Sequence, residues 1–168
     1  MIILQILRYI LLFPIAVMGS LFCILFSPVL ALFVNGSGDL PWWLKFAQTP
    51  DAPVCGDVMW GQNNPTYSFY WLCVTWLARN PFYGGLQWLG VDKSQSYTGY
   101  GNVFCDSSNS LGAALFIANN GFQLNIVWKL PLVSWCVIHS FGWNIKSTGK
   151  TAGAYILAPI RFYNYTGK

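Results

Sequence analysis

The sequence predicts an α+β protein: an N-terminal transmembrane helix, short interfacial and buried helices, then a small antiparallel β-sheet. Three observations lead there. The run from Tyr9 to Val34 carries no charged residue. The stretch from Thr66 to Arg79 is densely aromatic and bounded by turn residues. The second half then alternates apolar and polar residues on either side of Asn119-Asn120-Gly121, and Asn-Gly is a strong hairpin signal.

A helix over Tyr9–Val34 exceeds the ~20 residues that cross a hydrocarbon core. Two other readings compete with it. A cleaved signal peptide would use Arg8 as the end of its charged region, with Ala31 as a small residue near the far end. Its apolar region would normally be only ~7–15 residues, and Val29-Leu30-Ala31-Leu32 is a poor cleavage pattern. A buried or re-entrant hairpin would break at Pro14, Gly19-Ser20 or Pro28, but membrane helices tolerate such residues. The spanning reading divides the chain into a membrane helix and turn, residues 1–38, and an aromatic-rich α+β domain at the membrane surface, residues 39–168.

Composition agrees with lipid. Charged residues make up 8% of the chain, against ~25% in ordinary soluble chains. Aromatic residues make up 18%, including nine Trp and nine Tyr, which place apolar rings inside and polar tips at headgroups. The acids are all aspartates, and none follows Asp106, whereas Lys129, Lys146, Lys150, Arg161 and Lys168 do. A purely basic last third favours anionic headgroups. It lacks the Arg/Lys clustering of a nucleic-acid binder, so no nucleic-acid partner is expected. Arg8 and Lys45 flank the span evenly and leave orientation open. Asn35-Gly36-Ser37 and Asn164-Tyr165-Thr166 match the short glycosylation pattern, which arises often by chance.

Asn35-Gly36-Ser37-Gly38 predicts a turn. Asp39 then caps a short helix with Pro41 in its first turn. In that helix Trp42 and Trp43 are placed at the membrane interface. Thr49 to Asp57 reads as a rigid turn braced by Pro50 and Pro53, with Gly56 supplying a positive φ. Gly61–Pro65 reads as loop, and Thr66 or Ser68 caps a buried helix that Asn80-Pro81 stops. Strands are expected beyond Gly84-Gly85: Leu111–Ala118, Phe122–Leu130, a segment from Trp135 to Ile145, and Ala154–Tyr163. In the second of these, Phe122, Leu124, Ile126, Trp128 and Leu130 form the buried face. Pro159 marks the last strand as an edge or a bulge.

The chemistry-bearing residues are few. His139, the sole histidine, has apolar alternating neighbours and reads as a packed sheet residue. Asp51 and Asp57 lie on one turn and read as local caps, with a divalent-cation or acid–base pair as the alternative. Cys23, Cys55, Cys73, Cys105 and Cys136 show no C-x-x-C spacing, so zinc is not expected. The four outside the run read either as thiols or as two disulfides. No cofactor is expected.

The segments Leu40–Asp57 and Tyr70–Gly84 resemble a family of small uncharacterised membrane proteins of tailed bacteriophages. The resemblance rests on Trp43-Leu44, Thr49-Pro50-Asp51, Pro53, Gly56-Asp57, Arg79-Asn80-Pro81 and Tyr83-Gly84, with a looser match at Trp128-Lys129-Leu130. It implies a phage-infected bacterium as context and no activity. Physically, Arg79 is expected to meet Asp51 or Asp57 in a partly buried pair whose loss would cost ~3–5 kcal/mol if fully buried. The function expected is a non-enzymatic, membrane-anchored protein of the host inner membrane. Its partners would be the lipid bilayer and a host membrane protein, in an exclusion or takeover role. The alternatives are a virion component touching the membrane during genome entry, a membrane-associated hydrolase or metal-dependent enzyme using Asp51, Asp57 and His139, and a lysis protein.

Overall fold

The computed structural model describes residues 2–92, 95–105, 110–147, 152–157 and 160–164. Asp106, Lys150, Pro159, Tyr165, Thr166 and Lys168, each singled out above, lie outside them. The fold is α+β: a long apolar N-terminal helix, several short helices, and a five-stranded antiparallel sheet. Two compact units divide the chain. The first holds residues 1–11 and 90–168; the second holds residues 12–89. The boundary read after Gly38 therefore falls inside the second unit.

Helix α1 spans Ile2–Leu25 and so contributes to both units. It differs from the expected Tyr9–Val34 helix at both ends. Ile2–Leu7 is apolar enough to extend it N-terminally, which places Arg8 inside the helix. At the other end Pro28 has no N–H to return to the carbonyl of Ile24. The Ser27 hydroxyl donates to that oxygen instead, at 3.0 Å. The chain breaks at Phe26 and resumes as α2, Ser27–Ala31.

In the first unit, strands β1 (Tyr97–Gly101), β2 (Gly112–Ala118), β3 (Phe122–Lys129), β4 (Trp135–Gly142) and β5 (Ile160–Asn164) pair in sequence order as a meander. The hairpin at Asn119-Asn120-Gly121 sets Ile117 opposite Phe122. Trp143 pairs with Tyr155 as a single bridge. The expected strand from Ala154 thus separates into that bridge and the edge strand β5, and β4 stops at Gly142 rather than Ile145.

Phe122 is buried as expected, but beyond it the faces of β3 are the reverse of the expectation. Gln123, Asn125 and Val127 are buried, whereas Leu124 and Ile126 are half-buried and Trp128 is exposed. Across the register Asn125 faces Ser140 and Val127 faces Ile138. Phe116, Val127, Cys136 and Ile138 supply the apolar part of that interior, with Val103 and Cys105 from the loop after β1. Alternation identified the strand correctly but not which side is covered, because cover comes from remote loops.

The N-terminal part of α1 packs into the same unit. Tyr9 stacks on Tyr155 at 4.7 Å between ring centres and meets Phe122 and Trp143 edge-on. The Tyr155 hydroxyl donates to the Tyr9 carbonyl at 2.9 Å, and Gln5 Nε2 donates to the carbonyls of Ala118 and Asn119.

The second unit contains a 3-10 helix, Trp42–Ala47, followed by α3 (Val58–Asn63), α4 (Phe69–Arg79) and α5 (Tyr83–Trp88). Asp39 does not cap the 3-10 helix; Pro41 takes that position and the carboxylate is used elsewhere. α3 replaces the expected loop because Asp57 caps it, accepting from Trp60 N at 2.8 Å. α4 begins at Ser68 as expected, with Cys73, Val74, Trp76 and Leu77 buried. It is not covered all round, since Phe69 and Trp71 are exposed. α5 occupies the point where strands were expected to begin. Its entry residue Phe82 has a left-handed backbone and fills a hole floored by Gly19 and Gly85. A Cβ on either glycine would come within 2.6 Å or 2.2 Å of the Phe82 ring.

Tyr155→Phe removes one buried hydrogen bond without changing ring packing and is expected to lower stability by about 1 kcal/mol. Gly85→Leu should cost more, through forced displacement of Phe82. Thermal unfolding of the detergent-solubilised protein, followed by circular dichroism, measures both.

Candidate functional site

The most distinctive surface belongs to α1. Its covered side chains are Gln5, Tyr9, Ala16, Ser20 and Cys23, spaced by three, four or seven residues along one stripe. They are small or polar. The other faces carry Ile3, Leu4, Leu7, Ile10, Leu11, Ile15, Met18, Leu21 and Leu25, all exposed. This inverts the pattern of a helix in a water-soluble domain, which turns its apolar stripe inward. The helix is long and apolar enough to cross a membrane. Its charge-free part, Tyr9–Leu25, rises about 25 Å. Arg8, at the edge of that part, lies over the Trp143 ring at 5.2 Å and donates to the Gly90 carbonyl at 3.2 Å.

Of the expected interface residues, Trp42 is 84% exposed, and Trp43 is exposed while touching Phe33 edge-on at 5.5 Å. Below them a polar cluster closes the 3-10 helix. Lys45 Nζ donates to Asp39 at 2.6 Å and to Gln48 Oε1 at 2.8 Å, and Gln48 Nε2 donates back to Asp39 at 2.8 Å. The bonds from Lys45, and then Gln48, hold the Asp39 carboxyl below its ordinary pKa. Asp39, Lys45, Gln48, Thr49, Pro50 and Gly84 are among the residues lining a cavity of about 300 Å³ here.

The residues of the double motif sit in this second unit. Thr49 is buried; its hydroxyl donates to the Ala52 carbonyl at 3.1 Å and accepts from Trp76 Nε1 at 3.3 Å. Pro50 and Asp51 are exposed at the turn, and Gly56 N donates to the Pro53 carbonyl at 2.9 Å with φ +92°. Asn80 closes α4 through the Trp76 carbonyl, and Pro81 leads into Phe82. Gly84 lets α5 rest on the 3-10 helix: a Cβ there would lie 2.0 Å from the Lys45 carbonyl.

Arg79 meets neither Asp51 nor Asp57. Its guanidinium lies 4.8 Å from the centre of the Trp60 ring, and Trp60 in turn meets Trp76 edge-on. Asp57 instead caps α3. His139 belongs to the first unit, stacked between Trp128 and Phe141 at 6.3 Å on each side. Among the described residues no three His, Cys, Asp or Glu side chains gather as a metal ion would require. The cysteines are thiols, and only Cys55 is not buried. Burial, with a smaller contribution from Cys55, pushes the Cys73 thiol up to about 11.

A further polar group was missed by sequence reasoning. Gln123, Asn125, Asn144, Lys146, Ser147 and Arg161 line a cavity of about 290 Å³ in the first unit. The signal available was the absence of acids from the last third.

Two outcomes test these assignments. Arg79→Ala should cost about 0.5–1 kcal/mol, as for an exposed cation–π contact, and not the ~3–5 kcal/mol of a broken buried ion pair; chemical denaturation of the variant decides. In thiol labelling at neutral pH, Cys55 should react first, and Cys73 only on unfolding, because little Cys73 thiolate exists. Mass spectrometry of the labelled peptides reads the order.

No curated protein and no solved structure matches the chain. A family model does match, over residues 1–166. The chain belongs to that family, a family of unknown function (DUF7338).

Proposed function

We propose that this protein is a non-enzymatic membrane anchor-and-contact protein, placed by a tailed phage in the host inner membrane. There it engages the envelope or a host membrane protein, in exclusion or takeover. The observation that carries the membrane part is the inversion of α1. Large aliphatic side chains face outward while Gln5, Ser20 and Cys23 face protein. In water each outward Leu or Ile would leave about 1.5–3 kcal/mol of transfer free energy unrealised. Against hydrocarbon the same arrangement is favourable, because it shields the polar groups and exposes the apolar ones.

The contacts of α1 also support its retention in the mature protein. A cleaved signal would leave the carbonyls of Ala118 and Asn119 without Gln5, and Tyr155 without its acceptor on Tyr9. Trp42 and Trp43 fit the headgroup layer, where an indole keeps its N–H wet and its ring dry. The phage context rests on the resemblance of the Thr49–Asp57 and Arg79–Gly84 segments alone.

Fractionation of bacteria expressing the full chain with a C-terminal tag tests this reading. The expected result is full-length protein in the membrane fraction, resistant to alkaline carbonate and released by detergent, with protease protection of the tag reporting its side. A freely soluble product, or one trimmed after α1, overturns it.

A further inference from the structure

We propose that the aromatic face of the sheet, led by the loop between β3 and β4, is a second lipid-contacting surface. It enters the headgroup–acyl boundary of the membrane that holds α1. The proposal rests on the anchoring reading and adds which part of the first unit touches lipid.

The strand register assembles that face. Residues directly opposite one another share a side of a sheet, and so do alternate residues along a strand. Trp128 on β3 stands opposite Val137 on β4, and Val137 stands opposite Phe162 on β5. Trp135 lies on the same side of β4 as Val137. The rings of Trp128, Trp135 and Phe162 are all exposed around Val137. Toward the Asn119–Gly121 hairpin the same side continues through Ile126 and Leu124, with His139 and Phe141 opposite them. These four are half-buried. His139, the polar member, lies between the rings of Trp128 and Phe141. The reverse side holds Gln123, Asn125 and Ser140, all buried. The sheet thus covers polar side chains and exposes Trp128, Trp135 and Phe162, the opposite of an antiparallel sheet with one side in water.

The loop at the end of this face supports the same reading. It is closed by the Leu130 N–H, which donates to the Trp135 carbonyl at 2.9 Å. Residues 131–134 between them are exposed, and Leu132 is wholly so. Leu132 also has a left-handed backbone, with φ +68°. That conformation suits glycine and is rare for a bulky side chain. The most strained position of the loop therefore presents an aliphatic side chain at its tip.

Lipid is the occupant these groups fit, ahead of a second copy or another protein. The order of the side chains is the first reason. Leu132 and Val133 stand at the tip, and Trp128 and Trp135 stand behind them at the strand ends. A bilayer interface has the same order, with aliphatic groups reaching acyl chains and indoles at headgroup level. The second reason is that the part of α1 in this unit shares the inversion. Ile3, Leu4, Leu7, Ile10 and Leu11 are exposed there, while Gln5 and Tyr9 are covered. Continuity is the third. Tyr9 meets Phe122 edge-on at 5.9 Å, and Phe122 begins the side of β3 that runs on through Leu124 and Ile126 to Trp128. A sheet face that abuts a lipid-facing helix is within reach of the same lipid.

The test places a single nitrobenzoxadiazole probe on the full chain in phosphatidylethanolamine–phosphatidylglycerol liposomes. The substitutions Leu132→Cys, Phe162→Cys, Leu11→Cys and Phe104→Cys are made one at a time with Cys55→Ser, the other cysteines being buried. Leu11 reports on α1. Phe104, exposed on the loop whose Val103 and Cys105 cover the reverse face, is the aqueous reference. Nitroxide-labelled lipid should quench the probes at 132, 162 and 11 several-fold more than the probe at 104, and aqueous iodide on both sides of the bilayer should do the reverse. Adding Leu132→Asp should weaken lipid quenching at 162 by half or more. Circular dichroism and thermal unfolding in detergent should not change, since the Leu132 side chain is fully exposed. Lipid quenching at 11 combined with iodide quenching at 132 and 162 overturns the proposal and leaves the anchoring reading standing. Probes at 132 and 162 that neither quencher reaches also overturn it, and mark a face covered by protein. So does lipid quenching at 162 that Leu132→Asp leaves unchanged. Absence of lipid quenching at all three positions overturns both readings.

Discussion

Helix α1 presents two faces of opposite character, and the rest of the structure is arranged around that difference. Toward protein it offers Gln5, Tyr9, Ala16, Gly19, Ser20 and Cys23. Toward the other side it offers mostly Leu, Ile, Phe and Met. Small residues on the covered stripe allow close approach, which is how the Phe82 ring reaches the α1 backbone at Gly19. Polar residues on the same stripe find carbonyls there, as Gln5 does at the end of β2. Moving the stripe by one residue would turn Ser20 outward and bring Leu21 in, losing both kinds of contact at once.

Part of this was legible in the residues and part was not. The long helix, the hairpin at Asn119–Gly121, the Ser68 cap and the edge strand all came from local signals: an apolar run, a turn dipeptide, a capping side chain, a proline. The extent of α1 was misread because Arg8 resembles a boundary, yet a helix tolerates a cation whose guanidinium can reach an aromatic ring and a carbonyl. The short helices α3 and α5 were missed because a single turn and a half offers almost no periodicity to detect.

The face of β3 was misread for a different reason. Phe122, Leu124, Ile126 and Trp128 are the more apolar set, and in a water-bathed sheet they would be the covered one. Which set is covered depends on the loop carrying Val103 and Cys105 and on the segment carrying Lys146, both remote in sequence from β3. Alternation along one strand holds no information about those segments.

The double motif, whose aspartates read first as local caps with acid–base chemistry as the alternative, is explained by helix ends and turns. Every helix leaves backbone donors at its start and acceptors at its finish, and a unit built from short helices has many ends for few residues. Asp57 supplies the start of α3, Ser68 the start of α4, and Asn80 the finish of α4. Thr49 pins the turn between Ala52 and Trp76, and Gly84 opens the space in which α5 meets the 3-10 helix. Asp57 thus serves the backbone at the start of α3, and Arg79, laid over Trp60, serves the aromatic packing.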